Sequence, residues 1–372
     1  MHDLIFFASR LIRTIDPSLL SKDYKHSKWF NLSDALARSE NPSSRVDQLS
    51  TPWPLSPTIN PIPNITNNEL RFDVVLNNIT EDLCKTAMAS NRPVYLFWSG
   101  GIDSTCILAS LLQVANRDFL KNLVIVTDHN SIVENSHFYY QYIHNQLAVM
   151  PMDEFEINCE NYDKIIVVDG EGGNQCLQGP SVQKLIYRKR FDLLNQSWRD
   201  HADLGNLLLG SNNFQIELII DSIKRAPVPI DTGYDFLWWT GFNFKFDDVM
   251  IRKMFAYCEN LTPEQTKHFW NYSLYRPFRH ENMQMWSMNA KDLRRHYTTT
   301  TVKYFAKKYI YDFDRNDFYY SSKLEQGSDA YKLKTSHPTL YLPYFAFDIN
   351  WKKYSFADPN TRHKLGKILE KL

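Results

Sequence analysis

Apolar runs and helical stripes give the 372-residue chain three textures. In the middle, "PVYLFW" (93–98), "NLVIVTD" (122–128) and "KIIVVDG" (164–170) are continuous apolar runs bounded by turn formers. That is the pattern of strands buried on both faces. "EFEINC" (154–159) alternates and predicts a further strand. The segments 103–115 and 131–148 carry a helical period. Strands alternating with helices predict an α/β fold: a Rossmann-like parallel sheet with helices on its faces.

The flanks read differently. Residues 69–91 form a helical stripe, with Leu76, Ile79, Leu83 and Met88 on one side. Beyond 180 the period is helical over about 181–195, 213–224, 246–258, 262–271, 280–288 and 298–309, which predicts a helical C-terminal subdomain. The last sixty residues or so are aromatic-rich and poorly periodic, and predict irregular structure. At the other end, "MHDLIFFASRLIRTI" predicts an amphipathic docking helix, because Asp3, Arg10 and Arg13 interrupt its apolar run. Residues 40–68 are rich in Pro, Ser and Asn, which precludes a regular helix. The expected organisation is an arm and linker over 1–68 and one unit over 69–372. Within that unit the α/β core spans about 90–180 and the helical and irregular part 181–372.

Charge adds an exclusion. Forty-two Lys and Arg balance 42 Asp and Glu, so there is no basic excess for a broad nucleic-acid or membrane surface. The compact basic group is Lys184, Arg188, Lys189 and Arg190, which reads as a solvated helix face; a nucleic-acid-modifying enzyme would use it as a groove. Five scattered cysteines, none at CxxC spacing, read as free thiols in a reducing compartment. With no apolar run long enough to span a bilayer, the expectation is a soluble cytoplasmic protein without membrane partners.

The chemistry gathers where the first buried strand ends. "SGGIDST" (99–105) joins that strand to a helix. Unpaired backbone N–H groups at a helix start attract anions. Gly100 and Gly101 let the backbone approach closely, and Ser99, Ser104 and Thr105 add hydroxyls. Asp103 is the odd member, because a carboxylate repels a phosphate unless a metal ion lies between them. A helix cap uses one such residue; six in a row favour a phosphate and magnesium site. A second apolar strand ends in the same way, at "DGEGGNQCLQG" (169–179), with Gly170, Glu171, Gly172 and Gly173 in the turn.

"SGGIDST" resembles the SGGxDS loop of the PP-loop ATP pyrophosphatases, an adenine nucleotide alpha hydrolase fold. The resemblance covers Ser99, Gly100, Gly101, Asp103 and Ser104. The second turn narrows it to the synthetase domain of asparagine synthetases and the related β-lactam synthetases, which carry GEGADE there. This chain has Asn174-Gln175 where that family has Asp-Glu. "NYSLYRPFRHENMQMWSM" (271–288) is similar to the family's SLExRVPFLD segment at Ser273, Leu274, Pro277 and Phe278. "FYYSSKLEQGS" (318–328) is similar to its late lysine-bearing loop, with Lys323 as the matched lysine. Two features of the family are missing. The segment before the loop is too short for a glutaminase domain, and the insert between the third and fourth strands is reduced to 160–163.

The resemblance implies ATP and magnesium as cofactors. Ser99, Gly100, Gly101, Ser104, Thr105, Gly172 and Gly173 would bind phosphates. Trp98 and Val126, at strand ends, would lie beside the adenosine, and Asp103 and Asn174 would hold magnesium. Lys323 and Glu171 would act in catalysis. The implied activity is a carbon–nitrogen ligase that adenylates a carboxylate and passes the acyl group to an amine or ammonia. The nitrogen would come from solution, from the substrate, or from a separate glutaminase or amine-donor partner. Two other classes stay open: a PP-loop enzyme acting on a nucleic-acid base, and a nucleotide-binding protein without turnover.

Overall fold

The computed structural model describes residues 4–7, 44–46, 60–65, 71–200, 213–252, 254–258, 260–290, 302–323, 345–348 and 350–355. Its centre is a five-stranded sheet of β2 (Val94–Phe97), β3 (Leu123–Thr127), β4 (Ala148–Pro151), β5 (Ile166–Val168) and β6 (Leu274–Tyr275). The order is β4-β3-β2-β5-β6 and every pair is parallel. The three continuous apolar runs of the sequence are the three inner strands, as burial on both faces requires. Leu96 pairs with Val168 and Phe97 with Val126, so β2, β3 and β5 end level with one another.

The order reverses at β2. The chain moves outward through β3 and β4, then returns to the other side of β2 with β5. Open parallel sheets leave a crevice at the strand ends of such a switch point. Here the two glycine turns follow β2 and β5, so both stand at that crevice.

Helices frame it. α1 (Phe72–Ser90) and α2 (Ile102–Val114) pack on the sheet, joined by a hydrogen-bonded Thr80–Ser110 pair, 2.6 Å between hydroxyls. α3 (His129–Glu134) follows β3, and the short α4 (Gly173–Cys176) opens from the second turn. α5 (Pro180–Tyr187), α6 (Gly233–Phe244), α7 (Tyr304–Asp314) and α8 (Asp317–Ser322) belong to the predominantly helical later part. No helix among the described residues is long and apolar enough to cross a membrane.

Several expectations need correction. "EFEINC" is not a strand: it is a loop that lays Phe155 against Tyr95 and Phe97 and buries Ile157. Its alternation is real, but it records packing on the sheet face rather than membership of the sheet. The edge strand is instead β4, at the end of the segment read as helix 131–148. The helical part of that segment stops after a π turn at Tyr139–Ile143. The first residues are not helical where described, since β1 (Leu4–Phe7) pairs antiparallel with β7 (Phe345–Asp348), which also pairs with β8 (Lys353–Ser355). The remainder of the expected docking helix and residues 298–301 lie outside the described residues.

Two parts of the proline-rich stretch are described, and they are docked. Arg45 is buried, its guanidinium donating to the carbonyls of Asn60 and Phe242 and to Gln284 Oε1, and lying over the Phe242 and Phe246 rings. Burial pushes its pKa down to about 10, against the pull of Asp247. The cysteines Cys84, Cys106, Cys159, Cys176 and Cys258 are all free thiols.

Candidate functional site

The loop after β2 is built by its own hydroxyls. Ser104 Oγ accepts the Ser99 N–H at 3.1 Å and lies 3.0 Å from Ser99 Oγ, which in turn accepts the Gly101 N–H at 3.3 Å. Gly101 precedes α2 in extended backbone and gives no side-chain cap, leaving the first N–H groups of the helix to whatever the loop faces. Gly100 has φ +66°, and a Cβ there would lie 2.3 Å from the Ser131 carbonyl of α3. The left-handed backbone alone costs a non-glycine residue about 1–2 kcal/mol.

Not every loop residue faces outward. Thr105 is fully buried and its hydroxyl accepts the Trp98 indole N–H at 3.1 Å. Trp98 is equally buried, stacked with Phe138 and Tyr139, and its backbone N–H donates to the Val126 carbonyl. The side chains of Trp98, Thr105 and Val126 therefore lie in the interior and brace the turn from beneath.

The second glycine turn rests directly on Asp103. A Cβ on Gly173 would lie 2.3 Å from Asp103 Cγ, and one on Gly170 would lie 3.2 Å from Asp103 Cβ. Only a residue without a side chain lets α4 come this close to a carboxylate. Gly172 meets Met250 and Phe278, so the "RPF" segment after β6 abuts the same turn. The turn is anchored by Asp169. Its carboxylate accepts the Glu171 N–H at 3.0 Å and the Tyr257 hydroxyl at 3.1 Å, and forms a two-pronged ion pair with Arg276 at 2.9 Å. Burial works against the Arg276 charge, but Asp169 outweighs it and its pKa is raised.

Asp103 is a different kind of carboxylate. Oδ2 accepts from Lys303 Nζ at 2.6 Å, and the lysine side chain is 2% exposed against 19% for Asp103. Oδ1 is buried and has no hydrogen-bond partner. Burial raises its pKa, Lys303 pulls it back, and the nearby Glu171 charge raises it further. Asn174 Oδ1 and Gln175 Oε1, on the adjoining turn, are also buried without partners. A buried acceptor left unmade costs about 1–3 kcal/mol, so oxygens of this kind ask for a ligand.

Lys303 was not legible in the sequence. It lies 200 residues from Asp103 in the chain, at the start of α7. It sits in left-handed backbone at φ +50°, and its N–H donates to Gln178 Oε1 at 2.8 Å. Lys323, the lysine singled out by sequence, is brought to a different carboxylate: it ion-pairs with Glu134 at the end of α3. Glu134 borders the loop, its Oε1 lying 3.7 Å from where a Gly101 Cβ would be. Tyr319 on α8 donates to the Gly100 carbonyl at 3.2 Å, and Lys307 donates to the Lys323 carbonyl at 2.8 Å. The glycine loop thus has one lysine–carboxylate pair at Asp103 and another at Glu134. The Gln326 and Gly327 that accompany Lys323 in sequence lie outside the described residues.

Further polar atoms gather at the end of β3. Thr127 Oγ1, Asp128 Oδ2 and Asn135 Nδ2 are buried without partners, while Asp128 Oδ1 caps α3 through the Ser131 N–H at 2.7 Å. Of these residues, Thr127 and Asp128 lie at the strand end where the resemblance puts the adenosine, and Asn135 carries no such signal in the sequence.

Asp103 and the adjoining turn leave buried oxygens without partners, of the type that could take a share in a cation. Magnesium in nucleotide sites takes one or two protein oxygens and completes its shell with phosphate and water. Asp103 Oδ1 and Asn174 Oδ1 are oxygens of that kind. Among the described residues no group of three or more His, Cys, Asp or Glu side chains could hold a metal by itself. Arrangements such as this can bind an anion at a helix start, share a cation with it, and place fixed ammonium charge nearby. No protein-family model matches the chain, and no curated protein matches it.

Proposed function

We propose that the chain is an ATP-dependent ligase that activates a carboxylate by adenylation and forms an amide, releasing pyrophosphate and AMP. The observation that carries this reading is the meeting of the two glycine turns at Asp103, with one of its oxygens buried and unmatched. A turn that merely capped α2 would satisfy its own acid; Ser99 and Ser104 already tie the loop together without Asp103. The resemblance of "SGGIDST" and "GEGG" to PP-loop synthetases supports the same reading.

Placement supports the following residue roles. Ser99, Gly100, Gly101 and Ser104, with the N–H groups opening α2, would hold the β and γ phosphates. Gly172 and Gly173 would keep the second turn close enough to share them. Magnesium, held by Asp103 Oδ1 and Asn174 Oδ1, would supply charge neutralisation at the phosphates. A substrate carboxylate oxygen attacks the α phosphorus, the bond to the bridging oxygen breaks, and pyrophosphate leaves. An amine then attacks the acyl carbon, AMP leaves, and the amine nitrogen gives up a proton. Lys303 and Lys323 are the fixed cations that would offset negative charge developing in these steps. Glu171, half-buried beside the second turn, would orient the amine. Thr105 and Trp98 support the loop from within.

The test is release of AMP and pyrophosphate from ATP and magnesium across a panel of carboxylates with ammonia or amines. Turnover in the native protein that falls at least a hundredfold in Asp103→Asn is expected. ATP split between the β and γ phosphates, or full turnover in the variant, contradicts the proposal.

A further inference from the structure

We propose that Lys303 is a resident counter-cation at Asp103, so that this site takes one divalent ion with its nucleotide and not two. The inference rests on the nucleotide reading above and deepens it. Its starting point is a count of charge around the second turn. Asp103 and Glu171 are the acids there besides Asp169, whose charge Arg276 balances; Asn174 and Gln175 are neutral, and Lys303 Nζ already lies 2.6 Å from Asp103 Oδ2. A first dication can use the open Asp103 Oδ1 together with phosphate. A second would find no charged Asp103 oxygen left: Asn174 Oδ1 belongs with the first ion, Gln175 Oε1 is an uncharged amide, and Asp103 Oδ2 is already held by the Lys303 ammonium. Like charges brought together in a buried site repel strongly.

Lys303 is also held too firmly to be an incidental surface lysine. Its side chain is 2% exposed, its N–H is fixed by the buried Gln178, and its backbone takes the left-handed conformation that a lysine adopts at a cost. Gln178 belongs to the stretch that follows the second turn, so turn and lysine are positioned together. The ammonium is therefore a permanent part of the site and supplies charge that a second metal ion would otherwise bring.

The experiment uses α,β-methylene-ATP as the probe and Mn2+ as the ion, with bound Mn2+ counted by electron paramagnetic resonance. The native protein is expected to bind one Mn2+ per bound analogue and to keep measurable analogue affinity in EDTA. Lys303→Met is expected to bind the analogue at least tenfold more weakly and to lose the EDTA-resistant binding. Lys303→Arg, which keeps the charge, is expected to stay within about threefold of native, and separates loss of charge from loss of fold. Two Mn2+ per analogue in the native protein overturns this inference and leaves the nucleotide reading standing. Unchanged affinity in a folded Lys303→Met protein does the same, since a merely structural ion pair would shift only thermal stability. No binding of the analogue by the native protein, at any Mn2+ concentration, removes both.

Discussion

Two carboxylates close the neighbouring strands β2 and β5, and they are paired in opposite ways. Asp169 spends its oxygens on Arg276, Tyr257 and the Glu171 N–H. Asp103 binds Lys303 through one oxygen and leaves the other buried and unmatched. Each has a basic partner far away in sequence, and each stands at a glycine turn. The first is scaffold: its network ties β5, β6 and the helix of Tyr257 into one frame. The second leaves Oδ1 buried without a hydrogen-bond partner at the switch point of the sheet. Burial of a charged pair is therefore no mark of function by itself. What sets Asp103 apart is that its unpartnered oxygen lies where the two glycine turns meet.

Breaking the scaffold pair should have the largest effect. Arg276→Ala strands the Asp169 charge in the interior, and removal of one partner of a buried pair costs about 3–5 kcal/mol. Urea unfolding should show that loss, and a loss under about 1 kcal/mol would erase the contrast with Asp103. Next is Gly100→Ala, which adds a left-handed strain of about 1–2 kcal/mol to a Cβ placed 2.3 Å from the Ser131 carbonyl. It should lower the unfolding midpoint and weaken nucleotide binding together. Gly173→Ala should separate the two. Its new Cβ lands 2.3 Å from Asp103 Cγ, so the carboxylate must move. We expect stability within about 1.5 kcal/mol of native, typical of a local rearrangement, with at least a tenfold loss of magnesium-dependent nucleotide affinity.

The smallest effect concerns Lys307, whose pKa is pushed down to about 8 by burial and then by Lys323, from an ordinary 10.5. Between these values the unfolded chain binds the proton and the folded protein does not. Stability therefore rises with pH across that window, and the gain is absent below it. The thermal midpoint of native protein relative to Lys307→Met should climb from pH 8 to 10. A flat difference would show that Lys307 is not buried against the Lys323 carbonyl as described.

Much of the frame was legible in the chain. Continuous apolar runs located β2, β3 and β5 because inner parallel strands must be apolar on both faces. The glycine loop was legible because its residues are consecutive. Other elements left no local signal. β4 is an edge strand with largely exposed residues, and β6 is two residues long. α6, "GYDFLWWTGFNF", is buried on every side, so it shows no amphipathic period and passes unnoticed. Lys303 escaped for a different reason. A lysine in a polar segment looks solvated, and its partner lies in another element altogether. The resemblance pointed to Lys323, and the fold brings that lysine to Glu134 at the border of the glycine loop.

The role proposed for Asp103 is to offer Oδ1 to a cation shared with nucleotide phosphate. Calorimetric titration of α,β-methylene-ATP into native and Asp103→Asn protein, with and without magnesium, tests it most directly. The account predicts that magnesium strengthens binding at least tenfold in the native protein and has no effect in the variant, with both equally folded. Equal strengthening by magnesium in the two proteins would contradict it.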